Sequence, residues 1–168
     1  MGSGRLSSVP NLVLAVAMAL LVIVPAAIAA EGELTRDEYV AKVEPICKQN
    51  SDANSRILKG VKEQVTKKDE LVPAGKRFIR ASAALAMTVD KIAAVPQPSA
   101  DSAKLTKWIG YLEKEQTFLQ QIGKKLKAKD KYHAEKLAQE LNSNNNKANN
   151  TVISFNFHEC RIDSSRFL

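Results

Sequence analysis

Acidic side chains are plentiful in this sequence, but no pattern singles out residues that could carry out catalysis or bind a cofactor. The chain of 168 residues contains two histidines, His133 and His158, on separate segments. It has no Glu-x-x-His motif of the kind with which helical bundles bind iron or manganese. Its sequence also contains no haem-attachment motif, no nucleophile elbow and no phosphate-binding loop. The sequence therefore predicts no catalytic residue, no cofactor and no metal site.

The two cysteines, Cys47 and Cys160, allow only one intramolecular disulfide. An exported chain reaches an oxidising compartment, where such a pair is normally bonded. A disulfide that closes a loop on the order of 100 residues contributes about 4.7 kcal/mol in the chain-entropy model. In the alternative, reduced cysteines bind zinc together with His158 and Glu159. We expect the disulfide.

Three asparagines are the polar residues with the clearest structural context. Asn50 and Asn54 share a helix face with Cys47, because residues three, four and seven apart lie on one side of a helix. Asn145 flanks the apolar stripe of the last predicted helix. A buried amide network between helices, a solvated boundary and the lining of a small-ligand pocket near the disulfide are all open interpretations.

Four apolar stripes with helical spacing must position these residues. The first helix begins at a capping box, Thr35 to Glu38, and is expected to fade near Lys67. The other three are expected to start near Pro73, near Ser99 or Asp101, and at Asp130, and the last to run through the Asn-rich residues 142–150 to Phe155. Short connections and the lack of period-two alternation predict an all-α fold, an antiparallel four-helix bundle with one disulfide.

Residues 1–30 have the organisation of a secretory signal peptide. Arg5 precedes an apolar run from Leu12 to Val24, which is followed by Pro25 and the small residues 26–30. The domain organisation is therefore a signal peptide at 1–30 and a helical-bundle domain at 31–168. The alternative is an uncleaved anchor, which would place the domain at a membrane.

The charge pattern bounds the choice of partners. Lysine and arginine number 25 against 18 acidic residues, a net charge of +7, and the two signs are interspersed. A mixed pattern of this kind is typical of solvated helix faces, and nucleic acid would be an unusual partner for an exported protein. We expect no nucleic-acid partner, and contact with a membrane only if the leader is retained.

Several short motifs resemble a loose group of uncharacterised exported helical proteins from high-GC Gram-positive bacteria. They are Tyr39-Val40, Ile46-Cys47 with Asn50, the Val95-Pro96-x-Pro98 break, Trp108, and Phe155-x-Phe157-x-x-Cys160. No activity is known for the group, so the resemblance implies the fold, the disulfide and export. The functional expectation is a non-catalytic module of the cell envelope that binds a protein, a polymer or a small ligand. The alternative is a hydrolase that uses carboxylates which the sequence does not identify.

Overall fold

The computed structural model describes Met1 and residues 33–163, which from residue 33 onward lie within one compact unit. The predicted signal peptide lies outside the described residues, apart from Met1. Every regular element in the described part of the chain is helical, so the all-α prediction is confirmed. The α-helices are α1 (Arg36–Ile57), α2 (Val61–Thr66), α3 (Leu71–Ala93), α4 (Ser102–Lys127) and α5 (Lys131–Thr151). One 3₁₀ turn, Ser99–Asp101, precedes α4, and another, Ile153–Phe155, comes after α5.

Two of the predicted helix starts are confirmed by their caps. The Thr35 hydroxyl accepts from the backbone N–H of Glu38, and the Glu38 carboxylate accepts from the backbone N–H of Thr35 at 2.8 Å. At α5, the Asp130 carboxylate accepts from the backbone N–H of His133 at 3.2 Å. Both caps satisfy N–H groups that have no partner within their own helix.

The first helix is shorter than the sequence predicted. It ends at Ile57, and α2 begins after Gly60, whose φ of +76° is in the left-handed region that favours glycine. Leu58 and Val61 on either side of this break are both buried, so the apolar stripe continues although the helix does not. The last helix also ends early, at Thr151, and Phe155 lies in the 3₁₀ turn that follows.

α3 and α4 pack along a seam that we define by two contacts, Gly75 with Gly123 and Ser82 with Gln116. A Cβ atom added to Gly75 would lie 2.5 Å from the backbone oxygen of Gly123, so the two backbones approach too closely for larger residues. The Ser82 hydroxyl donates to the backbone oxygen of Gln116 at 3.0 Å, and the Gln116 amide donates back to that hydroxyl at 3.3 Å. The order of these contacts shows that α3 and α4 are antiparallel.

The predicted Cys47–Cys160 disulfide is confirmed, with a Cα–Cα distance of 5.0 Å. It attaches the C-terminal segment, which we define as residues 157–163, to α1. The Glu44 carboxylate accepts from the backbone N–H groups of His158 at 2.6 Å and Glu159 at 2.8 Å. The Asn149 side chain donates to and accepts from the backbone of Ile162, both at 2.9 Å. Residues from α1 and α5 therefore hold the segment in place.

Candidate functional site

A cavity of about 90 Å³ lies beside the disulfide. It is bounded by α1, α3, α4, α5 and the C-terminal segment. Its walls are mostly apolar, and the side chains of Phe78, Leu85, Leu112 and Leu141 contribute to them. A water molecule needs about 10–15 Å³ on this measure, so the cavity has room for several waters or for part of a small organic molecule.

α1 contributes one polar face to the cavity. Cys47, Asn50, Ser51 and Asn54 all line it, because their spacing places them on the same side of the helix. The Asn54 amide donates to the Asn50 oxygen at 3.3 Å, within the helix. Asn54 Oδ1 is buried and has no hydrogen-bond partner among the described residues.

Asn145 in α5 lines the same cavity and is 1% exposed. Its neighbour Asn144 donates to the backbone oxygen of Tyr111 at 2.9 Å and to Asn145 Oδ1 at 3.5 Å. Asn145 Nδ2 is left without a hydrogen-bond partner in the described part of the chain. The structure thus brings Asn50, Asn54 and Asn145 to one cavity, and both Asn54 and Asn145 keep one polar atom that no group in residues 33–163 binds.

Trp108 in α4 supplies a third such atom. The residue is fully buried and lines the cavity, and its indole Nε1 has no hydrogen-bond partner within the described chain. Its ring stacks on Phe157 with centroids 5.2 Å apart, and Phe157 stacks on Phe155 at 5.5 Å. The aromatic stack fixes the indole in position.

An ion pair between Arg36 and Asp101 lies next to this aromatic stack. Arg36 lies over the Phe155 ring, 5.0 Å from its centroid, and its guanidinium donates to both carboxylate oxygens of Asp101 at 2.8 and 2.7 Å. Asp101 was one of two residues predicted to cap α4. It stands at the N-cap position, but its side chain makes no capping bond and binds Arg36 instead. The Arg36 guanidinium holds the pKa of Asp101 below its usual value.

Glu115 in α4 is the carboxylate that the sequence analysis missed. It lines the cavity between Leu112 and Leu119 and is partly buried, without a hydrogen bond or ion pair in the described residues. Burial raises the pKa of Glu115 to about 8, because a charged carboxylate is poorly solvated there. The signal was present in the sequence: Trp108, Leu112, Glu115 and Leu119 follow the apolar spacing of the helix, and only Glu115 is charged.

The remaining charged groups of the cavity belong to the C-terminal segment. Glu159, Arg161 and Asp163 line it and are exposed, so they form its outer part. The sulfurs of Cys47 and Cys160 are bonded to each other and are not available as the thiolate ligands of the alternative zinc site. In residues 33–163 no group of three or more histidine, cysteine or acidic side chains is arranged to hold a metal ion.

No protein-family model, curated protein or solved structure matches this chain. Within the described residues, no helix has the length and apolar character needed to cross a membrane.

Proposed function

We propose that this protein is an exported module of the cell envelope that binds a small ligand in the cavity beside the disulfide and does not transform it. The observation that carries the proposal is the set of three buried polar atoms at the cavity, Asn54 Oδ1, Asn145 Nδ2 and Trp108 Nε1. Leaving a buried polar group unpaired costs about 1–3 kcal/mol, and a ligand that pairs these atoms would recover that free energy.

The composition of the cavity supports the same function. Small-molecule sites are typically apolar clefts with a few polar groups that fix the orientation of the ligand. Here leucine, isoleucine and aromatic side chains form much of the wall, and the asparagines and Trp108 are held in place by helices and by aromatic stacking. A rigid site of this kind favours binding because little conformational entropy is lost when the ligand enters.

Export and architecture are part of the proposal. Residues 1–30 would be removed as a signal peptide, and α1 with α2, α3, α4 and α5 would form the four members of an antiparallel bundle, as in the exported helical proteins that the sequence resembles. The disulfide is compatible with an oxidising, extracytoplasmic compartment. Intact mass of the protein from the culture medium and envelope of its host tests this. A mass that matches a chain starting at Ala30 or Glu31 supports export. A mass that includes residues 1–30 contradicts cleavage.

Ligand binding is testable with one reporter, because Trp108 is the single tryptophan of the chain. The probes are three molecules with the branched skeleton of valinol: valinol itself, the diol in which a hydroxyl replaces its amino group, and α-hydroxyisovalerate. We expect at least one probe to shift the indole N–H signal of Trp108 saturably in NMR spectra. The probe should be recovered unchanged.

A cavity-filling variant provides the control. Ser51→Phe places a ring at the cavity wall and should abolish the shift, whereas Ser143→Phe, at an exposed position of α5, should preserve it. Failure of all three probes to bind would contradict the proposal. The hydrolase alternative needs a probe with a hydrolysable bond, such as an acetate ester of the diol, and its cleavage would favour that alternative, because a carboxyl with a raised pKa, such as Glu115, is suited to act as a general acid.

A further inference from the structure

The four unpaired polar groups of the cavity differ in hydrogen-bonding character, and this difference points to a class of ligand. Asn54 Oδ1 is an acceptor, and so is Glu115 when its carboxyl is ionised, whereas Asn145 Nδ2 and Trp108 Nε1 are donors. A ligand that satisfies all four must therefore carry both hydrogen-bond donors and a hydrogen-bond acceptor. Its body is expected to be apolar, because leucine, isoleucine and phenylalanine side chains form the inner part of the wall.

The charged residues of the cavity wall indicate whether the donor group of the ligand is cationic or neutral. The cavity is lined by three acidic residues, Glu115, Glu159 and Asp163, and by one basic residue, Arg161, although the whole chain carries a net charge of +7. α1, α3 and α5 contribute no charged side chain to its wall. Even with Glu115 protonated, Glu159 and Asp163 outnumber Arg161, and this local excess of acid attracts a cation. The aromatic rings of Trp108 and Phe78 in the wall are also suited to a cationic group.

We propose that the cavity binds a small amino alcohol in its ammonium form, with the Glu115 carboxylate as its counter-ion. Asn54 Oδ1 accepts a second hydrogen bond from the ammonium group, and Asn145 Nδ2 and Trp108 Nε1 donate to the hydroxyl oxygen. The hydrocarbon part contacts the leucine-rich wall. This inference rests on the proposed binding function and assigns its ligand class.

Binding of such a ligand changes the protonation state of the site. In the free protein at pH 6.5, Glu115 holds its proton, because burial raises the pKa of this carboxyl to about 8. An ammonium group beside it favours the carboxylate, so the proton passes to the buffer when the complex forms. The ligand enters and stays as a cation, and one proton is released per complex. Binding of a neutral ligand releases none.

The experiment is isothermal titration calorimetry at pH 6.5 in buffers of different ionisation enthalpy, with valinol, its diol analogue and α-hydroxyisovalerate as probes. We expect valinol to bind at least about tenfold more tightly than the diol, since a charge-assisted hydrogen bond is stronger than a neutral one. We also expect release of close to one proton with valinol. Between pH 6.5 and 8 the affinity for valinol should rise, and the affinity for the diol should stay unchanged.

Two matched variants separate the role of Glu115 from that of the fold. Glu115→Gln should lose the preference for valinol over the diol and the proton release, while it still binds the diol. Glu113→Gln, two residues earlier at an exposed position of α4, should behave as the wild type. Binding of the diol or of the anion as tightly as valinol would overturn the amino alcohol assignment and leave the binding function standing. Binding of none of the probes would overturn both.

Discussion

Both α3 and α4 contribute to the seam and to the cavity, but the polar groups of the two regions differ in their hydrogen bonding. At the seam, Ser82 and Gln116 form two hydrogen bonds with each other's side chain or backbone, and the glycines bring the helices into close contact. At the cavity, Asn54, Trp108 and Asn145 each keep a buried polar atom without a partner. The polar groups of the seam bind each other, whereas the cavity keeps polar atoms that no group in the described residues binds, as the proposed ligand site requires.

The largest expected effect comes from removing the disulfide, which holds one wall of the cavity and does not contact the seam. The Cys47→Ala/Cys160→Ala variant should lose about 3–5 kcal/mol of unfolding free energy in urea denaturation, because the bond closes a loop of 113 residues. Hydrogen exchange should accelerate in residues 157–163 while the seam stays protected. A loss below about 1 kcal/mol would show that Glu44 and Asn149 hold the segment without the bond.

The second effect is the pH dependence that Glu115 confers on stability. Its pKa is about 8 in the folded protein and near the ordinary 4.5 when unfolded. The stability that the protonated carboxyl contributes is therefore fully present below about pH 4.5 and is lost as the pH rises through 8. A shift of this size corresponds to about 5 kcal/mol. Because Glu115 is only partly buried, solvent screening should reduce the total loss to on the order of 3 kcal/mol relative to Glu115→Gln, measured by urea denaturation at several pH values. A wild-type profile parallel to that of Glu115→Gln would mean that the carboxyl is well solvated.

The seam itself is tested by glycine substitutions. Gly75→Ala should lower the free energy of unfolding by about 1–3 kcal/mol, because the added Cβ would overlap the backbone of Gly123 and force the helices apart. Gly110→Ala is the matched control, since no atom lies within 4 Å of a Cβ at that position. It should stabilise α4 by up to about 1 kcal/mol through higher helix propensity. Thermal denaturation of both variants measures the difference, and equal effects would contradict close packing at the seam.

The smallest expected effect is at the cavity wall. Asn54→Leu removes one unpaired buried oxygen and a single 3.3 Å hydrogen bond to Asn50, so the melting temperature should be unchanged or higher, with helicity retained. The same variant should lose affinity for valinol. A clear drop in melting temperature would instead support the amide network as a structural device.

Local signals in the sequence account for much of this fold. Thr35 with Glu38, and Asp130, predicted helix starts because capping depends on neighbouring residues. The disulfide followed from there being one pair of cysteines. The break at Gly60 was missed because the apolar stripe continues across it, and Asp101 was assigned to capping because its partner Arg36 is 65 residues away.

The cavity and its lining residues were predicted only in part from the sequence. Asn50, Asn54 and Asn145 were identified because they interrupt or flank apolar stripes, and a small-ligand pocket was one interpretation. Glu115 interrupts its stripe in the same way and was overlooked among many other acidic residues. The contribution of residues 159–163 depends on where the disulfide and Glu44 place the C-terminal segment, and no local pattern encodes that position.

The two cysteines are far apart in the sequence, so the disulfide can form only late in the synthesis of the chain. Cys160 is made 113 residues after Cys47, so α1 to α5 are all complete before the disulfide can form. Until then Cys47 is a free thiol, and the cavity lacks the wall formed by residues 159–163. A chain that stops short of Cys160 therefore carries an unpaired Cys47 thiol, which distinguishes it chemically from the finished protein.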